Sequence, residues 1–277
     1  MMEKYDIKLI ALDLDRTTLD SAGKLSQRTK NALEAAIKKG VHVIIATGRA
    51  RTALPGDVYA IEGVRYIVTA NGACVTDMTD NKIIYNNCID VAALVNAVSL
   101  LKKYDFMYEF FVEGSAYVEE AIYNKVETMN FGEKHIKYIL ETRKPVIGLL
   151  DFALAHSGSI ENINLNFENQ ADRAMMRETL TTLDNVTLTS SFDHNLEIGG
   201  ATTSKADAID MLCGKFNVER RNVMACGDSP NDIAMLMAAG LPVAMGNAKE
   251  EVKAAAKYIT ATNDEDGVAE AVERFVL

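Results

Sequence analysis

The residues best suited to chemistry stand just after three predicted strands. Their sequences are Asp13-Leu14-Asp15-Arg16-Thr17, Thr47-Gly48-Arg49 and Gly227-Asp228-Ser229-Pro230-Asn231-Asp232, and Lys205 opens the helix that precedes the third strand. Ligands of open parallel sheets collect beyond the carboxyl ends of the strands. We therefore expect these loops to meet at one edge of a sheet.

Asp13 and Asp15 form the most specific pair. Residues i and i+2 of an extended segment point to the same side, so their carboxylates are expected to crowd together. A hard cation relieves that repulsion, and Mg²⁺ prefers oxygen ligands of this kind. Zinc is disfavoured because the sequence has no His/Cys cluster. Asp228 supplies a further carboxylate from another strand end.

Each candidate also has a plainer explanation. A lone Asp-x-Asp usually caps a loop, Thr47 alone would be a turn residue before Gly48, and Lys205 alone would be a solvated lysine. Asp232 has the strongest alternative: Ser229 as N-cap, Pro230 in the first helical position and Asp232 two positions later make a well-formed helix start. That carboxylate could also bind a water held by the metal. Three such loops at successive strand ends favour a functional site.

The predicted elements that must position these loops are strands and helices in the alternating order of an α/β fold. Strands are predicted at 7–12, 41–46 and 66–70, with a helix from Ser26 as N-cap to Gly40. The C-terminal third repeats the pattern, with helices near 204–216, 231–238 and 250–256 and strands at 223–226 and 241–244. Strand, helix and strand at this spacing indicate right-handed crossovers in a parallel, Rossmann-like sheet.

The middle of the chain has a different pattern of apolar and polar residues. Strands near 108–112 and 163–167 alternate between apolar and polar residues, and helices are predicted near 91–104 and 171–183. Alternation indicates that one sheet face is solvated or opens onto a cleft. We predict an α/β core domain formed by residues 1–82 and 191–277, with an α+β domain inserted at 83–190.

Composition excludes several classes of protein. The chain has 277 residues, 48% of them hydrophobic, and a net charge of −10, which disfavours a nucleic-acid partner because phosphate backbones are bound mainly by Lys and Arg. The four cysteines are dispersed and lack CxxC spacing, so we expect reduced, structural thiols. No segment has the length of a signal peptide or a membrane span, and a cytoplasmic location is expected.

Six motifs together resemble the haloacid dehalogenase (HAD) superfamily, in particular its Cof-type sugar-phosphatase branch, subclass IIB. They are Asp13-Leu14-Asp15, Ala46-Thr47-Gly48-Arg49, Asn71-Gly72-Ala73, Ser204-Lys205, Gly227-Asp228-Ser229-Pro230-Asn231-Asp232 and Ala244-Met245-Gly246-Asn247-Ala248. Their order and intervals match those of the family, and together they are a far stronger signal than any one motif. The resemblance covers nearly the whole core and implies that the insertion is a C2-type cap.

The resemblance implies a Mg²⁺-dependent phosphatase acting on a small phosphorylated metabolite. Asp13 would be the nucleophile, and Asp15 the general acid and base. Thr47 and Lys205 would hold the phosphoryl oxygens. The metal would be held by Asp13, Asp228 and the backbone carbonyl of Asp15, with Asp232 nearby.

The remaining implied contacts lie near the phosphate: Gly48, Arg49, Asn71 and Asn231. Two positions depart from the family, which usually has Gly where this chain has Arg16 and Ala206. Arg16 either contacts a substrate anion or is a solvated arginine beside an acidic loop. Pro55-Gly56 also predicts an irregular segment after Arg49.

Two other functions stay open at this point. A phosphomutase of the phosphomannomutase-like branch would share the nucleophile and a related cap. A receiver-like binding module would carry a phosphorylated aspartate as a signal, although it would need neither a leaving-group acid nor a cap. The sequence names neither the metabolite nor the oligomeric state.

Overall fold

The computed structural model describes residues 5–277, so residues 1–4 of the predicted core domain lie outside the described residues. The chain divides into two compact units. The first contains the described residues up to Gly48, together with Leu54–Tyr85 and Ser204–Leu277. The second contains Arg49–Ala53 and Asn86–Thr203.

The strands of the described chain are short. They are β1 (Leu9–Leu12), β2 (His42–Ala46), β3 (Tyr66–Thr69), β4 (Cys74–Asp77), β5 (Lys82–Asn86), β6 (Met107–Val112), β7 (Ser115–Glu119), β8 (Arg143–Val146), β9 (Ile160–Asn166), β10 (Val186–Thr189), β11 (Asn195–Gly200), β12 (Val223–Gly227), β13 (Leu241–Ala244) and β14 (Tyr258–Ile259).

The α-helices lie between many of these strands. They are α1 (Gln27–Lys38), α2 (Gly56–Tyr59), α3 (Val91–Leu101), α4 (Glu120–Tyr123), α5 (Glu133–Thr142), α6 (Leu149–Ala155), α7 (Gln170–Leu180), α8 (Lys205–Phe216), α9 (Ile233–Ala238), α10 (Glu250–Ala254) and α11 (Gly267–Phe275). Short 3₁₀ turns precede α9 at Pro230–Asp232 and follow Arg49 at Arg51–Ala53.

The first unit is built on a sheet with the strand order β14-β13-β12-β1-β2-β3-β4-β5. Pairing is parallel from β14 to β3, which confirms the predicted Rossmann-like core. β4 then pairs antiparallel with β3, a hairpin that the apolar pattern did not predict. Every residue of β1 is buried, as expected for a central parallel strand with both faces covered.

Side-chain caps fix where two of these helices begin. The Ser26 side chain accepts a hydrogen bond from the backbone N–H of Thr29, which confirms the predicted N-cap of α1. Ser204 caps α8 in the same way, through the N–H of Asp207. Lys205 is therefore the first helical residue after a fixed turn.

The second unit is built on a sheet with the order β10-β11-β9-β6-β7-β8, antiparallel except for the β7–β8 pair. One face packs Phe110, Ile163 and Ile198 with apolar residues of α3, α6 and α7. Each fully buried side chain of this kind contributes about 1.5–3 kcal/mol. The opposite face carries Glu109 and Asn164.

Both polar residues on that opposite face are buried, with exposed fractions of 0% and 5%. Of the two alternatives predicted for this face, the solvated one is therefore wrong, and a face that opens onto a cleft stays a prediction. The polar side chains pair with one another instead: the Asn164 Nδ2 donates to Glu109 Oε2 at 2.9 Å, and the Asn195 Nδ2 donates to Asn164 Oδ1 at 3.0 Å.

The second compact unit extends further along the chain than the predicted insertion at 83–190. β11 lies beyond residue 190 and pairs antiparallel with β9 through Asn195 and Asn166, so it belongs to the same sheet. The sequence pattern contains no signal for that partner, because strand pairing is decided by tertiary packing.

All four cysteines are free, as expected, and Cys74, Cys213 and Cys226 are buried. Among the described residues, no helix combines the length and the apolar character needed to cross a membrane.

Candidate active site

Asp13 lies directly after β1 and is almost fully buried, with 6% of its surface exposed. Its backbone N–H donates to the carbonyl of Cys226 at 3.0 Å, which extends the β1–β12 pairing by one residue to Asp13. Its backbone carbonyl accepts the Thr18 hydroxyl at 2.6 Å. The strand and the following turn together fix the position of this carboxylate.

The chain turns sharply after Asp13. Asp15 is extended, with φ −76° and ψ 126°, and Arg16 is left-handed, with φ 62°. The carboxylates that come together are those of Asp13, Asp228 and Asp232. The Asp15 side chain is partly exposed and is not one of these three, although its charge adds to the effect of burial in raising the pKa of Asp13.

Lys205 is fully buried at the start of α8, with 0% of its surface exposed. Its Nζ lies 2.5 Å from Asp13 Oδ1 and 2.7 Å from Asp232 Oδ1. Burial disfavours the ammonium, but the two carboxylates outweigh burial and raise the pKa of Lys205 above its usual value. Lys205 therefore stays charged.

Asp232 organises the loop that carries Asp228. Its Oδ2 accepts the backbone N–H groups of Asp228 and Ser229, each at 3.0 Å, and with Ser229 it completes a capping box. A side chain at Gly227 would collide with it, since an added Cβ would lie 2.5 Å from the Asp232 Cβ. The predicted helix start is confirmed.

Asp228 is buried, and each of its carboxylate oxygens accepts a hydroxyl. Thr17 donates to Oδ1 at 3.1 Å and Ser229 donates to Oδ2 at 3.0 Å. Burial, followed by the charge of Asp232, raises the pKa of Asp228 to about 6. Burial likewise raises the pKa of Asp13 well above its usual value, although Lys205 opposes that shift.

The predicted phosphate contacts Thr47, Asn71 and Asn231 form a second group in the same unit. The backbone N–H of Asn71 donates to the Thr47 carbonyl at 3.0 Å, and the Asn231 Nδ2 donates to Asn71 Oδ1 at 2.9 Å. Gly72 follows with φ 105°, and an added Cβ would lie 2.0 Å from the Ser204 carbonyl oxygen. Backbone contact at Gly72 thus sets this turn directly against the start of α8.

Asn71 has a buried amide nitrogen, Nδ2, without a hydrogen-bond partner among the described residues. A buried donor of this kind is costly unless it binds water or a ligand. The donor is suited to a phosphoryl oxygen, which agrees with the role expected for Asn71.

Arg49 belongs to the second unit, although Gly48 precedes it in the first. Its Nη1 donates to the Ala53 carbonyl at 2.9 Å, and its guanidinium carbon lies 4.8 Å from the centre of the Tyr138 ring. The guanidinium carbon of Arg143 lies 4.4 Å from the same ring, and Arg143 forms a two-bond ion pair with Glu109, at 2.9 Å each. No local motif marks residues so far apart, so this cluster was not predicted from the sequence.

The donor set fits a hard divalent cation. One carboxylate oxygen from each of Asp13, Asp228 and Asp232 lies within 4.8 Å of the other two. Clustered, buried carboxylates without sulfur or imidazole ligands suit Mg²⁺ better than zinc. Asp232 already accepts three hydrogen bonds, so the carboxylates of Asp13 and Asp228 have more oxygen lone pairs available for a metal.

A family model described as haloacid dehalogenase-like hydrolase matches residues 10–272. The chain belongs to this family, and the resemblance of its motifs is confirmed. Two curated proteins of Bacillus subtilis (strain 168) are each 31% identical to it. Phosphatase YwpJ matches 95% of this chain and 98% of its own length, and 5-amino-6-(5-phospho-D-ribitylamino)uracil phosphatase YcsE matches 99% and 98%.

Solved structures agree with this assignment. A haloacid dehalogenase-like hydrolase from B. subtilis superposes with a TM-score of 0.85 at 29% identity, covering 96% of this chain and 99% of that one. A HAD subclass IIB sugar phosphatase superposes with a TM-score of 0.81 at 25% identity, covering 97% and 98%. The α/β core with an additional α+β unit is therefore the architecture of these hydrolases.

Proposed function

We propose that this chain is a Mg²⁺-dependent phosphatase that hydrolyses a small phosphorylated metabolite through an aspartyl-phosphate on Asp13. The observation that carries the proposal is the Asp13 carboxylate itself, buried at the end of β1, 2.5 Å from Lys205 and beside Asp228. The named relatives support the class of reaction, since YwpJ and YcsE are both phosphatases.

In the first half-reaction an Asp13 oxygen attacks phosphorus, and the bond from phosphorus to the leaving oxygen breaks. Asp15, at the partly exposed turn, donates a proton to that oxygen, so the product leaves as an alcohol. Lys205 carries a fixed positive charge beside Asp13, where it stabilises the charge that develops on the transferring group.

In the second half-reaction water attacks the aspartyl-phosphate, and Asp15 accepts its proton. Inorganic phosphate leaves and the Asp13 carboxylate is restored. Thr47, Asn71 and Asn231 contribute hydrogen bonds that orient phosphoryl oxygens, and Gly48 lets the backbone approach them. A Mg²⁺ ion held by Asp13, Asp228 and the Asp15 carbonyl would offset the repulsion between carboxylates and phosphate.

The substrate class is a phosphate ester of a polar metabolite. The ribitylamino-uracil phosphate of YcsE and the sugar phosphate of the subclass IIB neighbour support this choice, although they identify substrates of those proteins. We further propose that the protein acts in a reducing compartment, which its four free cysteines support.

The test is a screen of phosphorylated metabolites by phosphate release, with Asp13→Asn as the matched control. The variant keeps the size of the side chain and removes the nucleophilic charge. We expect hydrolysis that requires added Mg²⁺ and disappears in the variant. Hydrolysis that persists after chelation and dialysis would overturn the metal requirement, and a rate equal to that of Asp13→Asn for every metabolite would overturn the proposed activity.

A further inference from the structure

Arg16 holds a backbone conformation that residues with a side chain seldom adopt. Its φ is 62° and its ψ is 9°, in the left-handed region that Gly, Asn and Asp visit more readily. The residue stands in the turn between Asp15 and Thr17, and this backbone conformation sets the direction in which its side chain leaves the chain.

Hydrogen bonds on both sides of Arg16 maintain this turn. The Asn247 Nδ2 donates to the Arg16 carbonyl at 2.9 Å, and Asn247 Oδ1 in turn accepts the backbone N–H of Asn263 at 2.9 Å. The backbone N–H of Leu19 donates to the Leu14 carbonyl at 2.9 Å. An otherwise unfavourable conformation is thus fixed by its surroundings.

The guanidinium of Arg16 lies beside Asp228. Its Nε is 3.8 Å from Asp228 Oδ2, and 47% of the arginine side chain is exposed while 1% of the aspartate is. Asp228 therefore lies near a partly solvated positive charge and also near the carboxylates of Asp13 and Asp232.

We propose that Arg16 is the resident counter-ion of Asp228 and thereby weakens the affinity of this site for divalent cations. The inference rests on the proposed function, which assigns Asp228 to the metal. A cation at Asp228 meets the repulsion of the guanidinium, and the ion pair must loosen as the metal binds. Both effects oppose binding, so Arg16 is a positioning residue whose charge sets the metal concentration that the protein requires.

The experiment measures Mg²⁺ binding without substrate, by calorimetric titration and by the Mg²⁺ dependence of thermal unfolding. Arg16→Gln removes the charge and keeps a long polar side chain, whereas Arg16→Lys keeps the charge. Arg16→Gly removes the charge and also relieves the backbone strain, because glycine adopts a positive φ without steric cost. We expect Mg²⁺ to bind about three- to tenfold more tightly to Arg16→Gln and Arg16→Gly, from the Coulomb interaction of nearby charges at a partly solvated site. Arg16→Lys should bind as the wild type does.

Each outcome decides between explanations. Unchanged or weaker binding in Arg16→Gln overturns the counter-ion role, and so does tightening in Arg16→Gly alone, because backbone strain would then be the cause. If the wild type binds no Mg²⁺ and matches Asp228→Asn, the metal in the proposed function fails as well. If the wild type binds Mg²⁺ and Asp228→Asn does not, Asp228 holds the metal as proposed. The variants at Arg16 then decide whether the counter-ion role is correct.

Discussion

Lys205 Nζ and Asp13 Oδ1 are 2.5 Å apart in a buried site, and the same ammonium lies 2.7 Å from Asp232 Oδ1. One lysine thus compensates two carboxylates that belong to different strand ends. It joins the end of β1 to the turn before α9, and it comes from the first residue of α8. This contact makes Lys205 both an electrostatic and a structural component of the site.

Replacing Lys205 with Met should therefore destabilise the protein as well as abolish turnover. Removing one partner of a buried ion pair costs about 3–5 kcal/mol, because the remaining charges are uncompensated. The loss should be largest near neutral pH and smaller in acid, where Asp13, whose pKa burial raises, becomes protonated. Urea unfolding at both pH values measures it.

The control for that variant is Lys137→Gln, which removes an exposed lysine paired with Glu141 at 3.7 Å. Exposed pairs contribute about 0–1 kcal/mol, so this change should be nearly neutral. A Lys205→Met protein as stable as the control at neutral pH would contradict the role given to the buried ammonium.

Asp13 and Asp15 should be separable by their dependence on the leaving group. Asp13→Asn should abolish phosphoryl transfer from every ester. Asp15→Asn should slow esters with alkoxide leaving groups far more than an activated aryl phosphate, because the aryl oxide needs less protonation. Single-turnover phosphorylation of Asp13 measures the first step alone. Equal losses for both leaving groups would refute the acid role of Asp15.

Local signals predicted the parts of the site that local sequence determines. The cap at Ser26, the box formed by Ser229 and Asp232, and the parallel core follow from residue type and periodicity. The turn at Arg16 was not predicted, because its left-handed φ depends on Asn247, which is remote in sequence. Burial, and as a smaller contribution the charge of Asp15, raises the pKa of Asp13, so these two carboxyl groups do interact as expected.

Pairing between residues far apart in the sequence explains the remaining differences between the predicted and the observed structure. The antiparallel β4 and the membership of β11 in the second sheet depend on which strands meet, and alternation alone carries no such information. The Arg143–Glu109 pair was missed for the same reason, since the two residues come together only when β8 and β6 join one sheet.

The Arg143–Glu109 pair should matter more for stability than any surface pair. Glu109→Gln leaves the buried guanidinium without its countercharge and should cost about 3–5 kcal/mol in the free energy of unfolding. Glu141→Gln, in an exposed pair, should cost about 0.5 kcal/mol or less. Because the cost comes from the unpaired charge, Glu109→Gln with Arg143→Met should recover part of the loss. No recovery in the double variant would contradict this explanation.

His135 should make the second unit sensitive to acid. Burial, and after it the neighbouring His194, lowers the pKa of His135 to about 4. The two rings are in edge contact, with centroids 4.5 Å apart. Since the unfolded chain binds a proton near pH 6.5 and the folded protein resists it, stability should be full above that pH and decline as the pH falls toward about 4. The lowered pKa corresponds to about 3 kcal/mol over this interval.

His135→Gln removes the titrating group, so the difference in unfolding free energy between variant and wild type should shift in favour of the variant from pH 7 to pH 4.5. The same acidic groups titrate in both proteins, so their contributions to the unfolding free energy cancel in that difference. A difference that stays constant across the interval would show that His135 is protonated equally in the folded and unfolded states.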